Sequence, residues 1–354
     1  MDKRPSLVVS FPAAVIIYSA FAIGLFFSYI PKFSNMQLLL PAQTVIAAAG
    51  AFVLCRRWVL SFFASLAGGM VFGFGTFACS FLCYHPLAGL VYALVPWTFV
   101  PAVFFYHWAK LDEKNTAILS GLLSLLPILF ILCAYRFTSI NYFYPIPLGT
   151  SLSFKALLGV IDPIRVKPDI FAPGFYHICA AGLLMGLAVV VRTKRIWTII
   201  FFVIMIFAAF YKPMLNVPPV MWASIPVLFC SLIIASGLET IILAGEADGK
   251  WVIASAGLLL LLSVCNIFIA QQTGRFPVSA GLYGIGVVAV MFVFFIAEAN
   301  LAWHPLRMFI LYSAVFLDIL ISTKHSIDIK LIKYESAVIT KRFNNSIEIV
   351  QNKS

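Results

Sequence analysis

Asp162, Arg165, Lys167, Asp169 and His177 crowd into IDPIRVKPDIFAPGFYH, residues 161–177 of a chain in which only 10% of residues are charged. Arg165 and Lys167 would hold a phosphate or an anionic head group through charge-assisted hydrogen bonds. Asp162, Asp169 or His177 would then serve as acid or base. His177 is expected about a turn inside a membrane span, where an ionisable group is costly and is a functional candidate by default. The competing reading is a solvated loop whose charges keep it out of lipid and whose prolines set its turns.

A second group, EANLAWHPLR, brings Glu298, Asn300, His304 and Arg307 to the junction of the last two spans. A carboxylate beside a histidine can tune it across neutral pH. The same residues also read as a tight turn, with Trp303 at the membrane interface and Pro305 in the first turn of the next helix. In CSFLCYH, Cys79, Cys83 and His85 have metal-like spacing, but a closed zinc site needs four ligands. Gly75, Cys79 and Cys83, like Ser65, Gly69 and Gly73, recur every four residues, the small-residue pattern of close helix packing. No metal and no cofactor is therefore expected. The five span-interior prolines, Pro41, Pro96, Pro101, Pro127 and Pro226, include the pair in VPWTFVP. Pro96 and Pro101 make that span the candidate for a discontinuous helix lining a substrate cavity; simple kinking is the alternative.

The elements that must position these residues follow from composition. Of 354 residues 62% are hydrophobic, against about half in soluble domains. Apolar runs long enough to cross a hydrocarbon core of about 30 Å recur from end to end. Within lipid each run must satisfy its own backbone hydrogen bonds, and the runs do not alternate as barrel strands would. The expected fold is an all-α polytopic bundle of ten to twelve transmembrane helices. Eleven are counted, at 10–30, 38–54, 59–83, 86–106, 117–135, 173–191, 196–211, 220–243, 251–270, 279–298 and 304–321. The first run carries no clear cleavage pattern and is taken as a permanent span. The cysteines fall within or at the ends of apolar runs and form no disulfide framework.

The net charge of +11 comes from short basic clusters at span ends, so nucleic acid is not the expected partner. Arg56, Arg57, Lys110, Lys114, the RTKR at 192–195 and Lys250 fall on one side when the N-terminus is cytoplasmic. That orientation places the long loop 136–172 outside. Its aromatics and prolines favour an ordered segment lying along the membrane surface. The basic tail 322–354 alternates with period two in IDIKLIK, which predicts short strands or an extended arm rather than a helix. A sequon at Asn344 in that tail is a pattern common by chance.

Glu239, Glu298 and Asp318 all fall within about a turn of a span end. No charged residue is expected at a midplane, which argues against a proton- or sodium-driven carrier. There is no P-loop, HExxH or GxSxG. Three functions stay open. The first is a permease or flippase-like transporter of a small or amphipathic solute, an anionic one if Arg165 and Lys167 draw it. The second is a membrane-embedded enzyme acting on a lipid-linked substrate at the outer face through the 136–172 loop. The third is a non-catalytic subunit docking into a membrane complex through its tail. Membrane lipids are the immediate partners, and the expected location is a bacterial inner membrane.

Overall fold

The computed structural model describes residues 7–30, 39–79, 86–108, 113–141, 158–163, 175–193, 196–210, 215, 217–244, 248–273, 278–299 and 303–332. Among these the chain is all-α. In order the helices are α1 (Leu7–Phe26), α2 (Leu40–Trp58), α3 (Phe62–Phe74), α4 (Pro86–Trp108), α5 (Glu113–Leu123), α6 (Leu126–Asn141) and α7 (Leu158–Ile161). They continue as α8 (Cys179–Arg192), α9 (Ile196–Phe210), α10 (Pro219–Trp222), α11 (Ser224–Leu243), α12 (Gly249–Thr273), α13 (Val278–Glu298) and α14 (His304–Ile332). Six helical segments are long and apolar enough to cross a membrane: α1, α3 with its continuation to Cys79, α10 with α11, α12, α13 and α14. The apolar helices within 88–104, 121–137, 179–192 and 199–210 are shorter.

Burial separates the centre of the bundle from its lipid-facing rim. In the most apolar window of each span, 89% of the α3 segment and 78% of the α10–α11 segment is buried, against 22% for α1 and 28% for α12. Small residues let the central helices touch. Without a hydrophobic drive between helices in lipid, close backbone approach and packing hold them together. A Cβ on Gly73 of α3 would stand 2.6 Å from the Thr44 carbonyl of α2, so the spacing of Gly69 and Gly73 does mark a helix contact. On α11, a Cβ at Gly237 would collide with the Gly182 carbonyl of α8.

Three elements differ from the sequence expectation. First, α4 runs unbroken through Pro96 and Pro101. Trp97 Nε1 donates to the Ile46 carbonyl of α2 at 3.0 Å and pins the helix there. The discontinuity lies instead in α3, which ends at Phe74; Gly75 is extended (φ −62°, ψ 158°) before Thr76–Cys79 resume helix. Second, α14 does not stop at 321. It continues to Ile332, so IDIKLI is helical and the polar segment after the last helix starts later than 322. Near its end, Asp328 accepts a hydrogen bond from Tyr29, just beyond α1. Third, the long loop starts later than 136, since α6 runs to Asn141, and part of it enters the bundle. Asp162 and Pro163, after α7, are buried in the bundle.

Glu239 of α11 fixes the opposite end of α3. Its Oε1 accepts from the backbone N–H groups of Leu60 (2.9 Å) and Ser61 (2.6 Å), while Ser61 Oγ caps α3 by accepting from Ala64 N–H. Both bonds are charge-assisted and lie where the helix dipole favours an anion. Glu239→Ala is expected to cost about 2 kcal/mol, read as a lower melting temperature in detergent. Glu239→Gln, which keeps the acceptor oxygen, should recover most of the loss.

Candidate functional site: a buried histidine–aspartate pair

Asp318 lies in the middle of the 29-residue helix α14 and is 2% exposed. Its buried position follows from the stripe Leu311, Tyr312, Val315, Asp318, Ile319, Ser322, Thr323, Ser326 and Ile327, every member of which is buried. These spacings of three and four residues put one face of α14 against the bundle. Opposite Asp318, the chain enters α8 through Tyr176, His177 and Ile178, and His177 is fully buried just before the first helical turn.

The two side chains meet. His177 Nδ1 lies 2.7 Å from Asp318 Oδ1, and the N–H of Ile178 donates to Asp318 Oδ2 at 2.9 Å. Ser322 Oγ donates to Asp318 Oδ1 at 3.1 Å, one turn further along α14. The carboxylate thus satisfies an otherwise orphaned donor at the start of α8 while orienting the imidazole. His177 Nε2, equally buried, has no hydrogen-bond partner among the described residues. The edge-to-face ring of Tyr283, at a centroid distance of 4.7 Å, packs against the imidazole.

Two backbone breaks adjoin this pair. At the end of α3, the Phe74 carbonyl accepts from Tyr176 Oη and from Thr323 Oγ1 (3.2 Å). Tyr176 Oη and Thr323 Oγ1 are themselves 2.7 Å apart. The hydroxyls replace the intrahelical donor that the turn at Gly75 removes, as unwound backbone in a membrane requires. At the end of α7, the Ile161 carbonyl accepts from Asn266 Nδ2 of α12 (2.9 Å) and Tyr283 Oη of α13 (3.0 Å). Tyr283 therefore joins the α7 segment to His177.

Asp162 is buried on this side of Tyr283 and accepts from Ser279 Oγ at 2.6 Å. Of the charged constellation read from the loop, then, Asp162 and His177 come into one region. Arg165, Lys167 and Asp169 lie outside the described residues, as do Cys83 and His85. Pro96 is buried and Pro101 exposed on the continuous α4. Glu298 and His304 are exposed and Arg307 half-buried, and no hydrogen bond or ion pair joins the three among the described residues.

Asp318, Ser322, Thr323, Tyr176 and Tyr283 were not singled out from the sequence. The signal existed in the buried stripe of α14, whose helical period runs past residue 321. Taking the helix to end there set Asp318 near a span end. Its position halfway along α14 differs from the expectation that it falls within about a turn of a span end.

Helices of this length and apolarity around a buried polar junction define an all-α, multi-pass integral membrane protein. Comparison with protein-family models, with curated proteins and with solved structures finds no match for this chain.

Proposed function

We propose that this protein is a proton-coupled permease in which the His177–Asp318 pair carries the coupling proton. The observation behind this reading is a fully enclosed imidazole–carboxylate pair halfway along a membrane helix, beside a broken α3. Ionisable groups at such depth mark proton and ion pathways, and interrupted helices mark the sites they serve. With His177 neutral and Asp318 ionised, Nδ1–H donates to the carboxylate and Nε2 offers a lone pair. The pair then carries one negative charge. A proton on Nε2 turns it into a neutral imidazolium–carboxylate pair, so proton occupancy alters the charge clamping α14 to the start of α8. Among the described residues, Tyr176, Cys179 and Tyr283 also lie in electrostatic reach of Asp318. The solute is small or amphipathic. A bacterial inner membrane with the N-terminus cytoplasmic suits the placement of the basic clusters.

A second reading draws on the same histidine. An imidazole held at Nδ1 by a carboxylate, with Nε2 bare, is the arrangement of an oriented general base, as an enzyme acting on a lipid-linked substrate would use.

Purified protein in liposomes, given an inward-directed proton gradient and a panel of labelled amino acids, sugars, carboxylates, nucleosides and polyamines, tests the proposal. At least one solute is expected to accumulate above its external concentration, to be lost on adding a protonophore and to be lost in His177→Ala. Accumulation that ignores both the protonophore and the His177 substitution would overturn it. Turnover of a lipid-linked substrate that needs His177 but not the gradient would favour the enzyme.

A further inference from the structure

At the opposite end of α8 from His177, the last turns of the helix line a groove with Thr240 of α11 and the start of α12. It encloses about 460 Å³, within the span of small-molecule sites, about 300–1,000 Å³. Leu184, Leu187 and Val191 of α8 and Trp251 of α12 give it an apolar wall, and Arg192 and Asp248 lie at its polar end. Val191 is 67% and Trp251 50% exposed, so the groove opens outward from the rim of the bundle. In an integral membrane protein such a groove faces hydrocarbon, which makes an acyl chain its natural filling. A half-exposed tryptophan sets this end at head-group depth.

The charges at the mouth decide which lipid. Arg192 Nη1 and Asp248 Oδ1 are 3.6 Å apart, beyond hydrogen-bond range, with side chains 84% and 35% exposed. The guanidinium can still present its fork to a phosphate, and the carboxylate can still accept from an ammonium. We propose that this groove is a site for phosphatidylethanolamine, with a fatty chain against Leu184, Leu187 and Trp251, phosphate on Arg192 and primary ammonium on Asp248. An anionic head group would bring a phosphate to Arg192 but offer no ammonium to Asp248. A choline head group has no N–H to donate to the carboxylate.

Retained lipid is the readout. The full chain is incorporated into nanodiscs made from equal parts of palmitoyl-oleoyl phosphatidylethanolamine, phosphatidylglycerol and phosphatidylcholine, then released and weighed by native mass spectrometry. Wild-type protein is expected to retain phosphatidylethanolamine about fivefold over phosphatidylcholine, the ratio one exposed ion pair supplies. Arg192→Gln should weaken retention of all three phosphate-bearing lipids, and Asp248→Asn should abolish the preference for phosphatidylethanolamine over phosphatidylcholine. Trp251→Ala should weaken retention of all three lipids equally. Because an exposed ion pair contributes little to folding, both charge variants remain assembled and the comparison stays interpretable. Equal retention of the three lipids by wild type, a wild-type preference for phosphatidylglycerol, or an unchanged preference in Asp248→Asn would each overturn the assignment.

Discussion

Asp318→Asn protein is expected to lose gradient-driven accumulation by roughly two orders of magnitude, the scale of a missing acid–base group, while remaining folded. The reason lies in what the amide can and cannot replace. Asn Oδ1 still accepts from Ile178 N–H, and Asn Nδ2 can donate to His177 Nδ1 if the imidazole changes tautomer. The clamp between α14 and α8 therefore survives, but the carboxylate that would balance an imidazolium is gone. Asp318→Ala should behave differently. It leaves Ile178 N–H and His177 buried without their acceptor, a loss of about 3–5 kcal/mol when one partner of a buried pair is removed. Thermal melts in detergent should rank wild type and Asp318→Asn close together, with Asp318→Ala well below. An Asp318→Asn protein that concentrates solute as wild type does would reduce the pair to a structural clamp.

The second large effect is expected at Gly237. A Cβ there would overlap the Gly182 carbonyl and stand 2.6 Å from the Gly186 backbone nitrogen. Both obstacles are helix backbone, which cannot turn aside as a flexible side chain can. Gly237→Ala must push α8 away from α11, an overpacking cost of about 1–3 kcal/mol, and Gly237→Leu should prevent assembly altogether. Because α8 carries His177 at its entrance, Gly237→Ala should also weaken transport by moving the imidazole from Asp318. Gly24 of α1 supplies the control, since a Cβ there meets nothing within 4 Å. Gly24→Ala should leave function unchanged and stabilise its helix by up to about 1 kcal/mol. Equal melting temperatures for Gly24→Ala and Gly237→Ala would show that α8 and α11 do not pack through their glycines.

The bundle was legible because hydrocarbon imposes one rule on every backbone group, and runs of Leu, Ile, Val and Phe record it directly. The glycine contacts at 69 and 73 were legible for a similar reason, since only small side chains at a four-residue interval permit that approach. The site was legible in part. His177 stood out as an ionisable group beside an apolar run, whereas Asp318 was masked by the fading hydropathy of Ser322, Thr323 and Lys324. Those hydroxyls lower the apolar signal without ending the helix, because they bond to Asp318 and to the Phe74 carbonyl across the bundle. IDIKLI is helical despite its period-two pattern, continuing a helix on which Ser326 and Ile327 are buried while Lys324 and His325 are exposed. Prolines misled in the other direction. Pro96 and Pro101 stay within helix, and the break comes at a glycine whose neighbours could supply replacement donors.

The bond between Tyr29 and Asp328 has a topographic consequence. It brings the exit of α1 and the far end of α14 together at one end of the bundle, and α1 is long and apolar enough to cross a membrane from there. With α1 spanning the bilayer, Leu7 and Ile332 are expected toward opposite faces. Two halves of a split fluorescent reporter attached beside these residues would never reassemble within a single molecule. A covalent tandem of two copies would need an additional crossing segment at the seam.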